Sequence, residues 1–227
     1  MEKSPLRKSF SRQVLIYPIG LILLAGAIFF LFLGNKSRRP ATPDPAFAAY
    51  VSAYTGGVIS RNHDIIIKLA QDPSPKPNPG DEAPAGLLSF SPSIPGSAQW
   101  KDARTLVFTP GGPMRSGKIY QGTLKLDKLL KVKSKKLRRF VFSFQVIAQS
   151  FEVQSVGLKA SGARGLEEYD YQGRVLTADA TDSASVTRIV RASLGGKALS
   201  ISWQQATGNI HPFQVKGIRR STTATQL

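Results

Sequence analysis

Within TLVFTPGGPMRSGKIY (Thr105–Tyr120), Gly112 is followed by four residues and then by Gly117-Lys118. This is the spacing of the phosphate cradle G-x-x-x-x-G-K-[ST]. There, backbone amides and the N-terminus of the next helix surround the phosphates, the lysine reaches the outer ones and a hydroxyl holds magnesium. Here the hydroxyl place is Ile119, which binds no metal, and Pro113 removes one of the amides. The following IYQGTLKL alternates with period two, so it predicts a strand where the cradle needs a helix. The turn formers Pro110-Gly111-Gly112-Pro113 and Ser116-Gly117 read instead as a connection between two strands.

The other residues capable of chemistry are sparse. The chain has no cysteine, which excludes disulfides, thiolate metal sites, cysteine nucleophiles and acylated lipoprotein anchors. Its two histidines, His63 in Arg-Asn-His-Asp and His211 before a proline, read as surface loop residues rather than ligands. Asp179 and Asp182 flank Ala180-Thr181 without a D-x-[DN]-x-[DN]-G calcium loop, and Asp182 suits a helix cap. Glu167, Glu168 and Asp170 read as a solvated acidic loop. Clustered hydroxyls have no histidine or lysine partner in view, so no serine nucleophile emerges. The expectation is a non-enzyme with no cofactor and no metal. One binding candidate remains, the basic run Lys128, Lys131, Lys133, Lys135, Lys136, Arg138 and Arg139 within Lys125–Arg139, opposed only by Asp127. Such a strip suits anionic glycans or lipids. It lacks the aromatic pattern of a single-strand reader, and no nucleic-acid partner is expected. A solvated hairpin connection accounts for the same residues.

Val14–Leu33, VLIYPIGLILLAGAIFFLFL, holds no charged residue, and twenty residues of helix cover roughly 30 Å, the thickness of a bilayer's hydrocarbon core. Lys3, Arg7, Lys8 and Arg12 precede it; Lys36, Arg38 and Arg39 follow, a bias that places the N-terminus in the cytoplasm. The segment reads as an uncleaved signal anchor. Ala25-Gly26-Ala27 has the form of a cleavage site, but cutting there would leave Ile-Phe-Phe-Leu-Phe-Leu at a water-exposed terminus. Both of these export the remainder, to the periplasm or the cell exterior; a buried helix of a soluble domain is the third reading. Residues 1–34 are thus the tail and anchor, and 35–46, with three prolines in NKSRRPATPDP, a linker.

Beyond the linker, period-two alternation dominates. It marks strands at Asp64–Ala70, Leu87–Ile94, Leu106–Phe108, Tyr120–Leu126 and Phe140–Val146, hence an all-β sandwich over 47–148. A second β-rich unit, 149–227, opens with Phe151 and Val153 and has a strand at Arg174–Ala178. In DSASVTRIVRASLGG, Asp182 caps a helix along which Val186, Ile189, Val190 and Leu194 recur, with Gly195 as its stop. Leu199, Ile201 and Trp203 return to alternation, and Phe213 and Val215 lie in a last strand. The net charge of +17 speaks to anionic partners and solubility rather than fold.

The residues also resemble a family. Trp100, Asp102, Arg104, Thr105, Leu106, Phe108 and Pro110, followed by Pro113, Gly117 and Tyr120, match the W-x-D-x-R-T-L-x-F-x-P and P-L-x-x-G-x-x-Y pattern of Ig-like modules in bacterial surface proteins, with Met114 in place of Leu. Followed by QSFEVQSVGLKA and LTADATDSASVTRIVRA, the module is similar to the N-terminal region of bacterial, Bacteroidetes-type alpha-2-macroglobulins. The resemblance implies a membrane-anchored Ig-like sandwich and a first macroglobulin-type β domain with one short helix. It also implies that a full-length trap captures host-cell or foreign proteases through a bait segment and a thioester. The thioester needs Cys-x-Glu-Gln, and neither it nor a bait is in this chain, so no trap residue carries over. The chain, ending at Gln226-Leu227, reads as an N-terminal fragment, a truncated frame or a stand-alone relic.

Overall fold

Phe140, Phe142, Phe144 and Val146 recur at period two, and all four are removed from solvent, as a strand with one buried face requires. The structure, a computed structural model, describes residues 42–161 and 167–220, which belong to one compact unit. The span expected at Val14–Leu33 lies outside the described residues. Among those described, no helix is long and apolar enough to cross a membrane.

The phenylalanines lie at the centre of a sandwich of eight strands: β1 (Val51–Tyr54), β2 (Gly57–Ile59), β3 (Ile65–Leu69), β4 (Leu88–Ser91), β5 (Gly96–Trp100), β6 (Thr105–Pro110), β7 (Ile119–Lys125) and β8 (Arg139–Val146). One sheet has the order β1-β3-β6-β5 and the other β2-β8-β7-β4. This is the ABED-on-CFG order of an immunoglobulin constant-type sandwich. The first strand is shared, β1 running antiparallel to β3 and β2 parallel to β8. Gly57, at φ +72°, opens β2 after the chain leaves the first sheet. Ile65, Ile67, Leu69, Leu106 and Phe108 from one sheet meet Tyr120, Leu124 and the phenylalanines from the other in a single cluster.

The Thr105–Tyr120 stretch connects β6 to β7, strands of opposite sheets, so it is an arch across the sandwich end rather than a hairpin. Its motif residues are structural. Trp100 and Leu106 are core, and Asp102 Oδ1 accepts from the amides of Arg104 and Thr105, both at 2.8 Å, closing the turn between β5 and β6. Those amides hold the Asp102 carboxyl below its ordinary value. Tyr120 stands at the start of β7, and its hydroxyl accepts from the Arg115 amide (3.2 Å), the tyrosine corner of immunoglobulin-like folds.

The second unit is built on β9 (Phe151–Ala160), β10 (Glu168–Thr177), the helix α1 (Ser183–Ile189), β11 (Ala192–Leu194), β12 (Lys197–Leu199), β13 (Ile201–Trp203) and β14 (Ile210–Arg219). Four strands make an antiparallel sheet in the order β13-β14-β10-β9, and β11-β12 is a separate hairpin. Val175, Phe213, Val215 and Ile218 form its core with Val186 of α1. Asp182 caps α1, its Oδ1 accepting from the Ser185 amide at 2.8 Å.

Three expectations need correction here. The helix ends at Ile189 rather than continuing through Leu194: Val190 is already extended, and Ala192–Leu194 pairs with Lys197–Leu199 across Gly195-Gly196. Both glycines take positive φ, +53° and +79°, which suits a two-residue hairpin turn, and the β-branched Ile189-Val190 pair favours leaving the helix there. Leu199 and Ile201–Trp203, read as one strand, belong to different sheets. Glu168 and Asp170 lie in β10, not in a loop.

Both units repeat one packing device. Gly122 of β7 lies directly beside Phe142 of β8, and a Cβ on it would meet the Phe142 ring at 2.3 Å; Gly173 and Phe213 are paired the same way, at 2.5 Å. Phe142 has no room to retreat, being stacked between Phe140 and Phe144. Gly122→Ala is therefore expected to destabilise the full chain by about 1–3 kcal/mol through overpacking. Denaturant unfolding in detergent checks this, and an unchanged midpoint would refute it.

Candidate functional site

The basic run is a structured loop between β7 and β8. Leu126 and Leu129 are buried beneath it, and Leu130, Val132 and Leu137 pack partly against the sandwich core. Two 3-10 turns, Leu126–Lys128 and Lys135–Leu137, alternate these aliphatic anchors with cations. The Ser74 amide ties the loop to the β3–β4 connection by donating to the Leu129 carbonyl (2.9 Å). Lys128, Lys131, Lys133, Lys135, Lys136, Arg138 and Arg139 are all exposed. Burial of the leucines thus holds the charges out in solvent at one end of the sandwich, a surface that can attract anions without enclosing one.

The opposite end meets the second unit. Asp179, between β10 and α1, is buried, and its carboxylate crosses to the segment after β2: Ser60 Oγ donates to Oδ1 (2.6 Å) and the Arg61 amide to Oδ2 (2.7 Å). Gln149, in the connection between β8 and β9, clasps the Asp179 backbone. Its side-chain amide donates to the Asp179 carbonyl (3.0 Å), and the Asp179 N–H donates back to Gln149 Oε1 (2.8 Å). The Gln149 amide also donates to Ser116 Oγ in the β6–β7 arch (2.6 Å). A small cleft lined by Arg61, Asn62, Pro113, Ala180, Thr181 and Asp182 opens beside this joint. Burial alone would raise the Asp179 carboxyl; the hydrogen bonds from Ser60, Arg61 and Ala180, with the Arg61 charge, outweigh it and hold the group below its ordinary value.

The two histidines part ways. His63 is exposed in the turn after β2, its Nδ1 against the Asp64 carbonyl. His211, expected on the surface, is fully buried in β14 opposite Val175, with neither ring nitrogen partnered. The proline after it suggested a loop, whereas Pro212 lies within the strand. Asp170 accepts from Gln214 Nε2 (2.9 Å) rather than facing a second carboxylate across a cleft. Among the described residues, no three histidine, aspartate or glutamate side chains gather as a metal site. The joint was missed in the sequence because Ser60 and Asp179 lie 119 residues apart and neither sits in a motif.

No family model matches the chain, and no curated protein is detectably similar to it in sequence. Among solved structures, an L,D-transpeptidase from Mycobacterium tuberculosis H37Rv aligns at a TM-score of 0.30 and 10% identity, over 70% of this chain and 60% of that one. L,D-transpeptidase 3 of Mycobacterium tuberculosis, in complex with a faropenem-derived adduct, aligns at 0.30 and 11%, over 70% and 58%. The chain therefore spans about 60% of the length of these structures. Similarity at that level transfers neither fold nor activity.

The joint has a pH signature. A carboxyl whose folded value is depressed stabilises fully above its unfolded value, near 3.8, and loses that contribution as pH falls through the folded value. Asp179→Ala, which strands the Ser60 and Arg61 donors, is expected to cost about 1–3 kcal/mol at neutral pH. The deficit should shrink on titration below pH ~4. A deficit that stays constant down to pH ~2 would refute this role.

Proposed function

We propose that the chain is a non-catalytic, membrane-anchored module that tethers and spaces an alpha-2-macroglobulin-like protease trap at the cell envelope, with residues beyond Lys36 outside the cytoplasm. In this reading the sandwich is the anchor-proximal spacer and the second unit is the first macroglobulin-type domain. The bait and thioester belong to other parts of such a trap, and the proteases it meets are partners of the whole assembly. The observation that carries the reading is the Asp179 joint. A spacer must pass its orientation to whatever follows it, and a buried carboxylate saturated by donors from the neighbouring unit is a directional fastening. The motif residues support the same reading, since Trp100, Asp102, Leu106 and Tyr120 serve the frame.

The seven exposed cations of the β7–β8 loop and the first residue of β8 favour a second reading, an envelope-binding module that contacts anionic glycans or lipids. The two readings share a topology and differ in what the loop does.

The test uses the absence of native cysteine. Lys133→Cys in the full chain should react with a membrane-impermeant maleimide in cells whose cytoplasmic membrane is intact. Reaction only after that membrane is opened would contradict the tether. Retention on anionic vesicles that is lost when Lys131, Lys133, Lys135 and Lys136 are changed to Gln would favour the second reading. Equal retention of both proteins would favour the first.

A further inference from the structure

The edge strand β9 turns a bare apolar strip to solvent. In register with β10, Phe151 stands beside Thr177, Val153 beside Val175, and Leu158 beside Tyr171. Residues directly opposite in an antiparallel pair share a face, so Phe151, Val153 and Leu158 lie on the same face as the buried Val175. Yet Phe151 is 57% exposed, Val153 48% and Leu158 60%. The helix α1 and the β11-β12 hairpin cover only the β10–β14 part of this face. Between them and β9 runs a groove of about 530 Å³, floored by Tyr171, Phe213 and Val215 and walled by Ile189 and Val190.

The strand is long, ten residues, contains no proline and, among the described residues, borders no further strand of its sheet. Edges of this kind pair with other strands unless they are blunted. Its sequence, FEVQSVGLKA, indicates the partner. Laid antiparallel against a second copy of itself, Phe151 meets Ala160, Glu152 meets Lys159, Val153 meets Leu158 and Gln154 meets Gly157. The apolar pairs fall on one face and the charged pair on the other. The irregularity at Val156 is what makes these faces agree: it shifts the β10 register between Gln172 and Gly173, so residues before and after it keep matched sides. A two-fold axis through Ser155-Val156 would set each bulge against its copy. Glu152 and Lys159 also leave β9 with no net charge in a chain of +17, so the edge is locally free of the repulsion that keeps the rest of the surface apart.

We propose that two copies of this chain associate through β9, antiparallel about Ser155-Val156, joining their four-stranded sheets into one of eight strands. The pairing brings the two bare apolar strips side by side and places a Glu152–Lys159 pair at each end of the interface. It is an isologous contact, closed by its own symmetry.

The test is charge reversal in the full chain in detergent, read as the dimer dissociation constant by sedimentation. Glu152→Lys sets two lysines opposite each other at both ends and is expected to weaken the dimer about tenfold. Within its own sheet Glu152 stands opposite Leu176 and accepts from Gln154 Nε2 (3.0 Å), a contact the substitution removes, so thermal unfolding of each variant is read beside its dimer constant. Lys159→Glu should weaken the dimer likewise, and because Lys159 stands opposite Asp170 in its own sheet this variant also carries an intramolecular like-charge cost that the mixing experiment separates from the dimer contact. A one-to-one mixture of the two variants should recover the original affinity, because opposite charges then face each other at both ends. That recovery could not arise from misfolding. A monomer at every concentration, or a dimer unaffected by either reversal, would overturn the proposal.

Discussion

The Asp179 carboxylate accepts from Ser60 Oγ, the Arg61 amide and the amide of Ala180. A buried charge is costly unless donors surround it, and these three come from chain segments about 118 residues apart. Everything beside it inherits its position. The Gln149 clasp sets where the chain leaves the sandwich, the Ser116 hydroxyl ties that exit to the β6–β7 arch, and Asp182, three residues on, starts the only α-helix among the described residues. Hydrogen bonds to a charged acceptor are stronger and more directional than neutral ones, so this joint fixes an orientation as well as a contact.

The sandwich reaches this arrangement without cysteine. Immunoglobulin-type domains often cross-link their two sheets with a disulfide; here the core between the sheets holds Phe140, Phe142 and Phe144, with Tyr54, Phe90 and Tyr120 against them and Phe108 against Phe90. Gly122 makes room for Phe142 as Gly173 does for Phe213 in the second unit. Aromatic area and edge contacts thus replace a covalent bond, and the packing tolerates little change of volume. The Asp102 turn then fixes the start of β6 and the tyrosine corner holds the arch where β7 begins, so the motif that resembled a phosphate cradle is a framework for the arch.

Alternation made the long central strands legible. The core phenylalanines, Ile65–Leu69, Leu106, Phe108 and Leu124 fall where period-two patterning puts them, because each strand has one buried and one wetter face. Short or glycine-bearing strands left no such trace: β2 has three residues and pairs with β8, far along the chain, and β5 opens on a glycine although its partner is the adjacent β6. His211 and Asp179 were illegible for the same reason. The burial of the first depends on the sheet face opposite Val175, and the role of the second on a turn over a hundred residues upstream. Phe151 and Val153 mislead in the other direction. Their alternation promises a buried face, and the fold leaves that face open.

The claim that the two β units act as one oriented spacer is tested most directly by the distance between them. With spin labels on Lys136→Cys in the β7–β8 loop and Lys197→Cys at the β11–β12 turn, in the otherwise cysteine-free full chain, pulsed dipolar spectroscopy reads that distance. A single narrow distribution that broadens on adding Asp179→Ala is the predicted result. A distribution already broad with Asp179 in place, and unchanged by its removal, would contradict it.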